Sequence, residues 1–510
     1  MRPSIAAALG LLWLAACTSD KTTAGRACRS DAECAAQSCV AKADGSAEDL
    51  AAMPLVCGAP TDKLGPGEAC EHGPECALGI CLLSGACASP CATDAHCAAT
   101  ERCQAVYARA GNAVLQTLHA CVAMVDLPKD AHIKIEIRRH ALSGAQDDIK
   151  LPGTSVPTLF VLEHLSDHSW PIPPDPPSAC RPPLCTDKLV ENRTPSDVLF
   201  DESAIDMQAA GPKNPVANGD HVNPVTVLIP NSPRVTPSSA GYTLTTTSTL
   251  AGDLRLTTLA RTTRGHKLDL NVYYVGAQDW SSTGDRGPML LTDALGVVDE
   301  IFAPADIFIG DVRQLDVRGK LLTEGVPLPE GAPLPEFEAS KGFSPIAKQY
   351  GVYPQLPELW KLSAGAGNVA LDLFFVSDLA PIGSGDVGAI AGGTPGPLGM
   401  HGTAGSGIAV STNLMLAQND PKALGRTLAH EIGHMLGLFH TVEVDGTVRD
   451  PFSDTAACTI DHDTNGNGFL EARECASEGG DNLMFPTVSA QSTTLSAQQQ
   501  ELLRSALILQ

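Results

Sequence analysis

Strict alternation of apolar and polar residues recurs through the middle of the chain. In Ile133-Lys134-Ile135-Glu136-Ile137 the apolar side chains fall on one face and the charged ones on the other, the pattern of a half-buried strand. Thr243-Leu244-Thr245-Thr246-Thr247 and Leu254-Arg255-Leu256-Thr257-Thr258 read as strands too, rich in β-branched residues. Trp170-Pro171-Ile172-Pro173-Pro174-Asp175-Pro176-Pro177 lies between them and reads as loop, because proline cannot donate to a ladder. Residues 125–264 are therefore expected to form a β-rich, sandwich-like segment, either a pro-domain or a fixed accessory domain. The pattern then changes. Lys267–Val275 predicts a strand, Pro288–Phe302 a helix, Val369–Val376 another strand, and Ile408–Ser411 a strand at the sheet edge. A further helix is expected from a cap at Asn419 or Asp420, with Pro421 in its first turn, through Leu424 and Leu428 to Gly437. The mixture predicts an α+β domain over residues 265–510. Its Gly-rich run, Gly383–Gly407, lacks the Gly-Lys-Ser/Thr ending of a phosphate loop and reads as a cleft-lining segment or a surface excursion.

The N-terminus sets the compartment. Met1-Arg2 precedes an apolar run, Ile5 to Ala16, too short to span a bilayer. It ends in Leu14-Ala15-Ala16-Cys17, which resembles a bacterial lipobox; the other reading is a plain secretory signal cut nearby. The lipobox resemblance implies removal of residues 1–16, a lipid on Cys17 and a tether over 17–27. With Thr18 and Ser19 following, it implies an outer-membrane destination. With Cys17 set aside, 16 of the 17 cysteines remain, and twelve of them fall between Cys28 and Cys121. In an exported chain that density predicts a disulfide-rich module over residues 28–124. The runs beginning at Cys28, Cys70 and Cys91 look like degenerate copies of one unit. Zinc knuckles are the competing reading, but the spacings are mostly five or six rather than two. Cys180 and Cys185 are expected to close a small loop; the even count leaves no spare thiol to block a metal. The chain carries 34 Lys and Arg against 58 Asp and Glu, a net charge of −24, which excludes general nucleic-acid binding.

The densest chemistry is His430-Glu431-Ile432-Gly433-His434-Met435-Leu436-Gly437-Leu438-Phe439-His440. Two histidines four apart share a helix face and can share a metal; Glu431 between them can act as a general base; Gly437 can end the helix and return His440 as a third ligand. Three nitrogens leave a fourth position open, the layout of a catalytic zinc. Chance yields this register about once in ten thousand chains or less. The segment resembles the signature of the metzincin zinc endopeptidases. That resemblance implies a methionine turn beneath the metal, for which Asp481-Asn482-Leu483-Met484-Phe485-Pro486 supplies Met484. The absence of an insertion between Gly437 and His440 argues against the leishmanolysin type. The run Asp450–Thr455, the pair Cys458 and Cys475, and the Asn-Leu-Met turn are similar to the pappalysin branch. Pro486 stands where that branch places a tyrosine. The resemblance implies peptide or protein substrates and Zn²⁺, within a multidomain fold ending in a metzincin-type domain. A catalytically silent binding or adhesion lipoprotein on the same scaffold is the alternative, against which an intact Glu431 speaks.

A second metal pattern is Asp463-Thr464-Asn465-Gly466-Asn467-Gly468-Phe469-Leu470-Glu471-Ala472-Arg473-Glu474. Oxygen donors at Asp463, Asn465, Asn467 and Glu474, the Phe469 carbonyl and Gly466 match a twelve-residue Ca²⁺ loop. The bland reading is an Asn/Gly-rich turn between Cys458 and Cys475.

Overall fold

A computed structural model describes residues 27–28, 33–34, 37–41, 55–71, 73–110, 113–127, 133–165, 184–192, 198–201, 216–217, 224–233, 235–248, 251–275, 280–282, 286–317, 356–379, 387–412, 420–446, 448–456 and 458–510. The signal segment with Cys17, the Pro-rich run, Cys180 and Asn419 lie outside them.

The N-terminal module is built from three four-cysteine units with one connectivity, first to third and second to fourth. The pairs are Cys28–Cys39 and Cys34–Cys57, then Cys70–Cys81 and Cys76–Cys87, then Cys91–Cys103 and Cys97–Cys121. The degenerate repeat seen in the sequence is thus a repeat of pairing, and no thiol in it is left to hold zinc. The closed loops span 11 to 24 residues, and each constrains the unfolded chain by about 3 kcal/mol, standing in for a large apolar core. Strands β1 (Ser38–Ala41) and β2 (Leu55–Gly58) pair in the first unit. Strands β3 (Cys81–Leu82), β4 (Glu101–Ala110) and β5 (Ala113–Ala123) form a second sheet. With a seventh disulfide, Cys458–Cys475, this marks an exported chain. No described helix is long and apolar enough to cross a membrane.

The β-rich segment is a pair of antiparallel sheets. One takes β7 (Gln146–Leu151), β9 (Leu184–Glu191), β10 (Val198–Asp201) and β13 (Tyr242–Ser248), in the order β10-β9-β13-β7. The other takes β6 (Ile133–Ser143), β8 (Thr158–His164), β11 (Val216–Ala217), β12 (Val225–Ile229) and β14 (Ala251–Arg261), in the order β11-β12-β8-β14-β6. Residues of both sheets interleave in one core, among them Ile149, Leu189, Tyr242, Phe160, Leu162 and Val227. Strand β8 is buried along its whole length, and period-two geometry explains why. Phe160 and Leu162 point into that sandwich core, while Leu159 and Val161 point the other way, into the core of the C-terminal half. Leu228 and Leu259 do the same from β12 and β14. Strands β8, β12 and β14 of the second sheet thus form a middle layer packed on both faces, while the edge strand β6 stays largely exposed.

The C-terminal half is organised by a mixed sheet of β15 (Lys267–Val275), β16 (Phe308–Val317), β17 (Leu371–Val376), β18 (Ala389–Ala391) and β19 (Gly407–Ser411), in the order β16-β15-β17-β19-β18. All neighbours are parallel except β18, which runs antiparallel to β19. Among the described residues four α-helices accompany it: α1 (Arg286–Phe302), α2 (Leu356–Trp360), α3 (Pro421–Met435) and α4 (Ala497–Arg504). Leu270, Val272, Leu373 and Phe375 face α1 and α3, while Tyr273, Phe374 and Val376 face α2 and Tyr107 of the disulfide-rich module. One expectation is corrected here. Ile408–Ser411 is not the sheet edge; β18 is. Ala389-Ile390-Ala391, three residues between glycines, is too short to carry readable alternation, and only the fold-back of residues 392–406 places it beside β19.

A buried polar cluster ties that fold-back to the sheet. His401 Nδ1 lies 2.7 Å from Asp372 Oδ2, and its Nε2 lies 2.8 Å from the Asn368 carbonyl. Asn271 donates to Asp372 Oδ1 at 2.9 Å. With an acceptor at each ring nitrogen, His401 is held as the imidazolium. Burial alone would lower its pKa, but the charge and hydrogen bond of Asp372, with help from Asp126 and the Asn368 carbonyl, push it up to about 9.

Candidate metal centre

Helix α3 starts where the sequence predicts. Asp420 is extended and its carboxylate accepts from Lys422 N at 2.9 Å, with Pro421 following. The helix buries Leu424, Leu428 and Ile432 against the core and brings His430 and His434 to one face. It ends at Gly437, whose φ is 110°. Leu438 N donates to the Gly433 carbonyl and Gly437 N to that of His434, each at 2.9 Å, a Schellman pairing that reverses the chain and carries His440 back.

The three Nε2 atoms form a near-equilateral triangle: His430 to His440 3.2 Å, His430 to His434 3.1 Å, His434 to His440 3.1 Å. Each Nδ1 faces an acceptor. His430 donates to the Leu483 carbonyl at 2.7 Å, His434 to the Leu438 carbonyl at 2.7 Å, and His440 to both carboxylate oxygens of Glu443 at 3.2 Å. A ring that is neutral, with its proton on Nδ1, turns a bare Nε2 lone pair toward the other two. Three lone pairs at this distance repel one another unless a cation sits among them. Nitrogens about 2.0–2.1 Å from a tetrahedral zinc stand about 3.3 Å apart, so the triangle fits that ion. Burial, then the charge of His440, push the His430 pKa down to about 3; the same causes hold His434 well below its usual value. Both rings therefore stay neutral and able to ligate.

Glu431 projects beside the two histidines of the helix toward the sheet edge. Its Oε2 accepts from Ala391 N, on β18, at 2.7 Å. Burial pushes its pKa up to about 7, against the opposing pull of that hydrogen bond and of His440. Met484 sits in a tight turn: its N–H donates to Asn482 Oδ1 at 2.9 Å, and Phe485 N donates to the Asn482 carbonyl at 3.1 Å. A Cβ on Gly433 would stand 2.7 Å from Met484 Sδ, so this sulfur fills the place against α3 that the missing side chain leaves. The same turn supplies the Leu483 carbonyl that orients His430, and the Met484 carbonyl accepts from Thr441 N at 3.0 Å, just past His440.

Three contributors escaped the sequence reading. Glu443 follows His440 by three residues and its spacing alone could have flagged it. Ala391 acts through its backbone and has no signal. Gln499, in the capping box of α4, donates to Asn482 Oδ1 at 3.2 Å and accepts from its amide at 2.9 Å; only the tertiary fold pairs them.

The segment between His440 and Met484 is closed by Cys458–Cys475. Within it Asp463 accepts from Gly466, Asn467 and Gly468, while Glu474 Oε1 accepts from Thr464 N at 3.0 Å and Asn465 N at 3.3 Å. Asp463 and Glu474 thus fold onto the loop's own backbone, with Gly466 at φ 69° making the turn. Asp450 is buried, its Oδ1 accepting from Phe452 N at 3.1 Å and Thr455 at 2.7 Å.

Neither a family model nor a curated protein matches this sequence. Among solved structures the chain is similar to metalloproteinase-II from Bacteroides fragilis, at 13% identity and a TM-score of 0.25, over 51% of this chain and 63% of that one. The match thus spans less than two thirds of that protein, and a resemblance at this level carries no functional argument.

Proposed function

We propose that the chain is an exported zinc-dependent endopeptidase of metzincin type, pappalysin-like in branch, with His430, His434 and His440 as ligands and Glu431 as general base. One observation carries the reading: three imidazoles converge their Nε2 atoms on one point, beside a buried carboxylate whose pKa lies near neutrality. A zinc ion bound there supplies Lewis acidity to a water and to a peptide carbonyl. The chain's own groups do the rest. The Ala391 N–H fixes Glu431 Oε2, leaving Oε1 to take a proton from the attacking water and return it to the leaving amine. Strand β18 is an edge on which an extended peptide can pair. Met484 supports the helix from below. Pro486 supplies no hydroxyl, so the oxyanion has no tyrosine at that position.

Stripping the purified chain of metal abolishes cleavage of a mixed peptide library, and one equivalent of zinc restores it. A chain that binds one zinc and cleaves nothing before or after would instead be the silent scaffold.

Two further assignments belong to this reading. Asp463, Asn465, Asn467, Glu474 and the Phe469 carbonyl hold Ca²⁺ and stiffen the segment between His440 and Met484. Millimolar Ca²⁺ then raises the melting temperature of the zinc-loaded chain by several degrees (about 1–2 kcal/mol); identical melting curves with and without it refute the loop. Cys17 carries a lipid that anchors the chain in the outer membrane, as expected from the lipobox resemblance. Metabolic labelling with a radioactive fatty acid then marks the parent and not Cys17→Ala; equal labelling of both removes the assignment.

A further inference from the structure

We infer that Arg102 of the disulfide-rich module is a positioning residue for the candidate site, acting through the Gly-rich loop 392–406 on the edge strand that holds Glu431. The inference rests on the reading of Glu431 above only for its catalytic consequence.

Strand β18 has three residues and pairs on one side alone, with β19. It contributes the N–H that fixes Glu431. Directly after it the chain runs through residues 392–406, in which six of fifteen residues are glycine. Such a segment loses more backbone entropy on ordering than almost any other and has few side chains with which to anchor itself. Its order must come from outside.

Part of the anchoring comes from within the C-terminal half, through His401 on Asp372 and Asn368, Gly402 N on Ser363 and Gly396 N on Met435; the rest comes from the disulfide-rich module, the residues just after it and the sandwich. Arg102 Nη2 donates to the His401 carbonyl at 3.1 Å and to the Thr403 hydroxyl. Gln104, two residues along β4 on the same face, donates to the Gly402 carbonyl. Asp126 N donates to the Gly399 carbonyl at 2.6 Å. From the sandwich, Thr226 donates to the Pro395 carbonyl at 2.9 Å.

Arg102 is distinguished by what its other nitrogen does. Nη1 pairs with Glu163 Oε1 on β8 at 2.8 Å, and the second carboxylate oxygen of Glu163 lies 3.4 Å from Arg255 on β14. Arg255 in turn meets Asp94 of the module at 2.6 Å. One buried guanidinium, 4% exposed, therefore joins module, sandwich and loop. A planar fork serves both directions at once, which a lysine ammonium could not. The module is in this view a brace for the site and not a spacer, and Cys91–Cys103 fixes the strand beside Arg102.

The test compares the exported chain with Gln104→Ala and with the double variant Arg102→Met, Glu163→Gln, which removes the buried pair together so that no lone charge is left. Each is read by zinc content, by amide hydrogen exchange, and by kcat and KM on a peptide substrate. In both variants exchange over 389–407 speeds up, by about fivefold for Gln104→Ala, as loss of one hydrogen bond gives, and by more for the double variant. Exchange in α3, β15 and β17 keeps the parent rate, zinc stays at one per chain, and kcat/KM falls mainly through KM as the edge strand loosens. Parent-rate exchange over 389–407 in both variants overturns the inference, as does an increase spread evenly over sheet and helices. Local loosening in a protein whose parent cleaves nothing leaves the brace standing and removes the peptidase reading instead.

Discussion

Glu431→Gln leaves one zinc bound per chain and lowers peptide cleavage by about a thousandfold to ten-thousandfold. The two halves of that outcome come from different parts of the site. Glu431 is not among the three converging nitrogens, so the metal position does not depend on it. The amide is nearly isosteric and its oxygen can still accept from Ala391 N–H, so β18 stays in register. What is lost is a group that takes a proton near neutral pH. In the parent the carboxyl, raised to about 7 by burial, is a base only when ionised, so activity rises with pH through its titration. A cation at the three imidazoles favours the ionised form, so the rising limb falls below pH 7 in the loaded enzyme. Retained zinc with parent-level cleavage in the variant would show that another group is the base.

Gly437→Val destabilises the chain by about 2 to 6 kcal/mol and empties the metal site. Its φ of 110° lies where an L side chain is strained by about 1–3 kcal/mol. The added Cβ also meets Leu228 of β12 at 2.8 Å, an overpacking of similar size. The chain escapes by opening the reversal after α3, and that reversal is what returns His440 to the other two imidazoles. Zinc content and melting temperature should fall together. Gly437→Ala, with the same φ strain and a smaller side chain, should show the lesser loss of both. Full zinc content in the valine variant would mean that His440 is positioned independently of the turn.

The second substitution also locates what was hard to read. That Gly437 ends the helix is legible, since a glycine after a periodic helical run predicts a left-handed turn. That it is roofed by Leu228, some two hundred residues earlier, is not. Leu228 alternates out of a run in which Val225, Val227 and Ile229 serve the sandwich core. Alternation tells which residues share a face but not what covers that face. The segment expected to be a pro-domain or a fixed accessory domain packs Leu159, Val161, Leu228 and Leu259 into the C-terminal core. The three-residue edge β18 was unreadable for a different reason: it is held by partners and not by propensity. In the proposed Ca²⁺ loop, Asp463 accepts from the loop's own backbone amides, and Glu474 accepts from these and from the Thr464 hydroxyl.

The sequence by itself determined what is local. His430, Glu431 and His434 take their faces from helical period, His440 from the glycine after it, and the limits of α3 from Asp420 and Pro421. Repeated cysteine spacing likewise foreshadowed three units, but their common pairing came from the structure. The tertiary structure decided what is distant: the Leu483 carbonyl and Glu443 that set the imidazole tautomers, the β18 amide that fixes Glu431, and the Arg102 tie to a loop about three hundred residues away. The physical reason is range. Backbone periodicity and capping act within a few residues and leave a pattern in the chain, whereas a backbone carbonyl or amide looks alike in every residue and acquires a role only when folding brings a partner to it.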